Sequence, residues 1–147
     1  MCGERPLVSV YSCSSLRRTT PCPDCRSAAD WVGVQALVGD SLRWDVEVTC
    51  PACGFAVADC EGELSDDVRE ELLAEHGGAV LRLRATAHRV TVLRVLRAAL
   101  GLELGDAKGV LEQVWGGTYT GTGPEVELLA RRLREAGVDA VASRGRP

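Results

Sequence analysis

Two Cys-x-x-Cys pairs, Cys22-Pro-Asp-Cys25 and Cys50-Pro-Ala-Cys53, constrain this chain more than any other feature. Each pair is a tight turn that can aim two sulfurs at one point, and two such turns supply four ligands for a tetrahedral metal ion. Proline after the first cysteine fixes one backbone angle, and Gly54 lets the chain leave the second turn without a steric penalty. The 24 residues between Cys25 and Cys50 are enough for a hairpin that brings the turns together. The reading is a four-cysteine zinc site of structural type, in which the ion folds a segment too small to bury its own core. Iron takes the same ligand set, so the pattern leaves zinc and iron both open. A thioredoxin-like redox pair would need a βαβ setting, which is absent. Cys60 lies too far along to share the second turn and reads as a small buried hydrophobe; Cys2 and Cys13 receive no role.

Seven cysteines at this spacing do not resemble a secreted disulfide framework. The opening residues lack a basic region followed by a long apolar stretch, and no window reaches the roughly 18 apolar residues of a membrane helix. The expectation is a cytoplasmic protein with no membrane partner. Whether Met1 is the true start stays open.

Charge divides the chain. Residues 1–79 hold 14 acids and 6 arginines, a net of −8, whereas residues 80–147 hold 7 acids and 11 bases, a net of +4. Such asymmetry fits two modules with different partners. Between the cysteine pairs only Arg26 and Arg43 are basic, against Asp30, Asp40, Asp45 and Glu47. Nucleic-acid binding is therefore not favoured for the front half, although Trp31 and Trp44 have the chemistry to stack on bases. Both read better as a small core.

Local signals give four segments: a poorly ordered arm over 1–20 with one short strand at Leu7–Tyr11, a zinc ribbon over 21–62, a linker helix within 63–78, and a second domain over 79–147. In the ribbon, Trp31–Val38 and Leu42–Thr49 pair across Gly39-Asp40-Ser41, and Phe55–Asp59 is a third strand. Ser65 caps the linker helix, with Asp66 and Asp67 at its positive end and Val68, Leu72 and Leu73 as its apolar face. The second domain reads strand Ala79–Ala85, helix Val90–Leu100, helix Leu104–Trp115, short strand Thr118–Thr120, a helix entered at Pro124 and ended by Gly137, and strand Val138–Ala142. That order argues an α+β sandwich with helices on one sheet face.

The run Arg89–Lys108, RVTVLRVLRAALGLELGDAK, is the most specific stretch of this second half. At 100° per residue, Val92, Val95, Leu96 and Ala99 share one side of the helix and should face the sheet. Arg89, Leu93, Arg94 and Arg97 share the other, so that an exposed leucine stands among arginines, a pattern suited to a protein contact. Lys108 is the only lysine in the chain.

Together with the ending LLARRLREAGVDAVA, this run resembles the C-terminal domain of the bacterial large-subunit ribosomal stalk protein over about residues 80–143. The resemblance implies a β-α-α-β-α-β domain, a fold shared with the Clp protease adaptor. It also implies a partner-binding face at Arg89, Val90, Leu93, Arg94, Arg97 and Lys108, directed at a translation GTPase or the ribosome. Two departures stand out: the family's N-terminal dimerisation segment and Ala-rich hinge are replaced by the zinc ribbon, and Trp115–Gly121 differs from the family's link.

His76 and His88 have no nucleophile or carboxylate pattern around them, and the glycine pairs lack the setting of a phosphate loop. The chain therefore reads as a non-enzymatic, zinc-binding interaction protein. Its rivals are an adaptor or regulator of an unrelated protein that uses the same fold, and a nucleic-acid-binding zinc-ribbon transcription regulator. The sequence names neither the partner nor the oligomeric state.

Overall fold

The computed structural model describes residues 10–144, in two compact units that divide between His76 and Gly77. Both are built on antiparallel sheets, and the chain is mixed α+β.

The first unit is a four-stranded meander, β1 (Val10–Pro21), β2 (Ala28–Val38), β3 (Ser41–Thr49) and β4 (Ala56–Gly62), in the order β1-β2-β3-β4, followed by helix α1 (Asp66–His76). Strand β1 corrects the expectation of a loose arm: from Ser12 against Leu37 to Pro21 against Ala28 it pairs with β2 residue by residue. Its sequence, VYSCSSLRRTTP, hides the strand because only Leu16 is buried among its described side chains. Backbone pairing to a hydrophobic neighbour holds it, rather than its own apolar content. Residues 7–9 of the expected short strand lie outside the described residues, and Val10 and Tyr11 begin β1.

Alternation on β2 sorts the two faces. Ala29, Gly33, Gln35 and Leu37 are buried, and the intervening Val32, Val34 and Ala36 are only half-buried. The period of two puts Leu16, Trp31, Gly33, Trp44 and Val46 on one face. Helix α1 lies there: Leu16, Trp44 and Leu72 form a buried cluster, with Trp31, Val46, Leu64 and Val68 packed around it. Arg18 sits 4.4 Å over the Trp31 ring and pairs with Glu71 of α1 at 3.1 Å, while His76 Nε2 meets the Ser15 carbonyl at 2.7 Å. The helix expected as a linker is therefore part of the first unit, bound to β1. Its start is as read from sequence: the Val68 N–H donates to Ser65 Oγ at 3.4 Å.

The second unit runs β5 (Ala79–Leu83), α2 (Arg89–Leu100), α3 (Leu104–Trp115), β6 (Thr120–Gly121), α4 (Gly123–Glu135) and β7 (Ala140–Arg144), with sheet order β6-β5-β7. The element order matches the sequence expectation; the last two strands sit about two residues later than the local signals placed them. Leu81, Val92, Leu96, Val126 and Leu133 are fully buried at the centre of one core. Burying a leucine or valine of this kind is worth about 1.5–3 kcal/mol each, so this stripe is the main source of the unit's stability. Ala99 departs from its helical-wheel position and is exposed. Helix α4 has a full capping box, in which the Glu125 N–H donates to Thr122 Oγ1 and the Thr122 N–H donates to Glu125 Oε2.

Candidate metal centre and helix-face groove

The two Cys-x-x-Cys turns are the tips of hairpins β1/β2 and β3/β4, and they share one backbone pattern. In the first, the Cys22 N–H donates to the Ser27 carbonyl at 2.8 Å and the Arg26 N–H to the Cys22 carbonyl at 3.0 Å. In the second, the Cys50 N–H donates to the Phe55 carbonyl at 2.8 Å and the Gly54 N–H to the Cys50 carbonyl at 2.9 Å. Position by position, Arg26 corresponds to Gly54, and both have a left-handed backbone, with φ of 65° and 78°. The sheet places these tips side by side.

All four sulfurs lie within 4.8 Å of one another. Two close approaches cross between the turns: Cys22 to Cys53 at 3.7 Å and Cys25 to Cys50 at 3.6 Å. A tetrahedral thiolate site with metal–sulfur bonds of about 2.3 Å sets its sulfurs about 3.8 Å apart, so the four donors fit one ion. Cys22 and Cys50 are buried, at 0% and 4% exposure, in a small cluster with Ala29, flanked by Val48 and Phe55; Cys25 and Cys53 face solvent. The sequence-read set Cys22, Cys25, Cys50 and Cys53 is thus brought together in full and can hold a metal ion.

The thiols are unequal without metal. Hydrogen bonds from the Ser27 side chain and then its backbone stabilise the Cys25 thiolate and lower its pKa to about 6. For Cys53 the Phe55 backbone also favours the thiolate. Desolvation and the neighbouring sulfurs of Cys25, Cys22 and Cys50 outweigh it and push Cys53 up to about 12. One anion in the cluster discourages the next, the usual behaviour of like charges sharing a site.

The remaining cysteines play other parts. Cys13 is a free, exposed thiol on β1, and Cys2 lies outside the described residues. Cys60, expected as a buried hydrophobe, is half-buried and disulfide-bonded. Trp31 and Trp44 pack on each other, ring centres 6.1 Å apart, within the core under α1, which is the core role expected of them.

On the second unit, α2 and the corner after it frame an open groove of about 520 Å³. Val90, Leu93, Arg94 and Arg97 line it, joined by Leu102 and Leu104 from the corner. Gly101 makes the corner: at φ 62° it ends α2, and the Leu102 N–H turns back to the Arg97 carbonyl. Val90 is 70% exposed, and Leu104 is exposed as well.

The six expected partner-binding positions are not one patch. Leu93 is half-buried and packs on the core, not the exposed anchor expected of it. Arg89 turns toward α3, ion-paired with Glu112 and 4.8 Å over the Trp115 ring, because that aromatic and that carboxylate compete successfully for its guanidinium. Lys108 is exposed on α3 and is not among the groove-lining residues. Leu102 and Leu104 were not among the expected positions of this face; two leucines just after a glycine-ended helix were the available signal. His88 caps α2 without a side-chain bond. Among the described residues, no helix is long and apolar enough to cross a membrane.

No protein-family model, no curated protein and no solved structure matches this chain.

Proposed function

We propose that the protein is a non-enzymatic zinc-binding interaction protein, whose second unit docks a translation GTPase or the ribosome through the α2 groove. The observation that carries this reading is the groove itself: four of the six positions implied by the stalk-protein resemblance line it, and Arg94 and Arg97 stand beside apolar walls. An apolar trough edged by arginines suits a partner that offers a hydrophobic anchor with acidic neighbours.

In the first unit, Cys22, Cys25, Cys50 and Cys53 would hold zinc, and the ion would supply only a structural tie between the hairpins. Four thiolates leave no open coordination position for a substrate. The inequality of Cys25 and Cys53 disappears once both bind as thiolates.

The test is direct binding of the purified chain to bacterial elongation factors by calorimetry, with an Arg94→Glu/Arg97→Glu variant alongside and metal content measured by mass spectrometry. Binding by the wild type that falls about tenfold or more in the variant supports the reading, that being an ordinary size for paired charges at an interface. Equal binding by both removes the groove from the interface. No binding to any translation factor would leave the groove to an unrelated partner.

A further inference from the structure

The four sulfurs carry a second arrangement besides metal binding. Each cross-turn pair, Cys22 with Cys53 and Cys25 with Cys50, holds one buried and one solvent-facing sulfur. An oxidant reaches one member, and a partner waits 3.6–3.7 Å away on the other hairpin. We propose that peroxide oxidation converts the cluster into the two cross-turn disulfides Cys22–Cys53 and Cys25–Cys50, which release the metal yet keep the hairpins tied. The release half of this rests on the zinc reading above.

The chemistry balances for each pair. The exposed thiolate, Cys25 or Cys53, attacks one oxygen of hydrogen peroxide; the O–O bond breaks, hydroxide leaves, and a sulfenic acid forms. The buried partner thiolate attacks that sulfur and expels a second hydroxide as the S–S bond forms. Two thiolates lose two electrons, one peroxide gains them, and two protons turn the hydroxides into water. A disulfide sulfur is a far poorer ligand than a thiolate, so the ion departs.

The pairing decides what happens to the fold. Bonds within each turn, Cys22–Cys25 and Cys50–Cys53, would release the metal and with it the tie it makes between the tips. Bonds across the turns replace the metal's tie with covalent ones between the same hairpins. Oxidation would then be a change of cross-link in a sheet that stays folded.

The experiment treats zinc-loaded Cys13→Ser protein with stoichiometric peroxide; the substitution removes the exposed thiol on β1. Zinc is followed with a chromogenic chelator, β structure by circular dichroism, and pairing by tandem mass spectrometry of tryptic peptides, with dimedone present in a parallel sample. Expected are release of the bound zinc, loss of four thiols, peptides 19–26 linked to 44–69 through the two named pairs in addition to the disulfide that Cys60 already makes, an unchanged β signal, and dimedone at Cys25 or Cys53 only. Disulfides within the turns, zinc retained after peroxide, or loss of the β signal with the zinc would overturn the proposal. Metal content before treatment separates its failure from that of the zinc reading. A chain purified without zinc defeats that reading, whereas the disulfide map still decides the pairing.

Discussion

Arg26 occupies in the first cysteine turn the left-handed backbone position that Gly54 occupies in the second, with φ of 65° against 78°. The same hydrogen bond to the first cysteine of the turn fixes both residues. A side chain there costs roughly 1–2 kcal/mol, offset in part by the extra freedom glycine loses on folding, about 0.5–1 kcal/mol. Arg26→Gly is expected to stabilise the first unit by about 0.5–1 kcal/mol in urea unfolding, and Gly54→Arg to destabilise it by a similar amount. A destabilised Arg26→Gly protein would mean that the arginine side chain makes a contact worth more than its backbone strain.

Acid should strip any metal that the four cysteines hold. A thiol must lose its proton to bind, so affinity falls as pH falls. In the metal-free state, the Cys25 pKa is depressed to about 6, and its contribution to stability is present above the usual thiol range and lost as pH falls from about 9 through 6. Cys53, raised to about 12, has the opposite sign: ionising it costs stability as pH rises from about 9 toward 12, so its proton leaves mainly when metal arrives. Ser27→Ala removes the largest cause of the Cys25 depression. The pH at which Cys25 of the metal-free protein alkylates at half its maximal rate should then move upward. No movement would show that another group holds the thiolate.

Gly33 leaves no room for a side chain. A Cβ placed there would come within 2.6 Å of both the Trp31 and Trp44 rings. Gly33→Ala forces both indoles to move and is expected to cost about 1–3 kcal/mol, the usual range for overpacking a core. Because both rings lie in one small cluster, tryptophan fluorescence and the urea midpoint should shift together. A shift in neither would mean that the α1 face is looser than its burial implies.

The second unit offers a control for the groove variant. Leu96 and Leu93 belong to the same helix, but Leu96 is fully buried and Leu93 lies at the groove. Leu96→Ala should cost about 2–5 kcal/mol of stability. Arg94→Glu/Arg97→Glu should cost only about 0.5–1 kcal/mol, because Arg97 lies in the last turn of α2 and donates from Nε to the Leu102 carbonyl. Thermal unfolding of each variant separates lost folding from lost recognition.

The four-cysteine cluster was legible because its information is local: two sulfurs per turn, with spacing and turn residues written in four consecutive positions. The second unit was legible because Val92, Leu96, Val126 and Leu133 repeat at helical period and glycines end the helices. Strand β1 was not, because its partner β2 supplies the apolar side and Ser12–Thr20 carries almost none of its own. The place of α1 was not either: Leu72 marks a buried face, but which sheet it meets depends on Leu16 and Trp44, distant in sequence. Arg89 shows the same limit for a site. Its helical position puts it beside Arg94 and Arg97, and only the tertiary placement of Glu112 and Trp115 draws it away.

Each hairpin carries two of the four sulfurs, so neither hairpin is a metal site alone. Synthesis runs from the N-terminus, and a nascent chain that has emerged through Thr49 offers only Cys22 and Cys25 from the cluster. Coordination has to wait for Cys53, when β1, β2 and β3 are already available to pair. A metal bound by the four sulfurs would therefore act as a late lock on strands already able to pair, and a ribosome pausing before that residue would expose a half-complete ligand set to competing ions and oxidants.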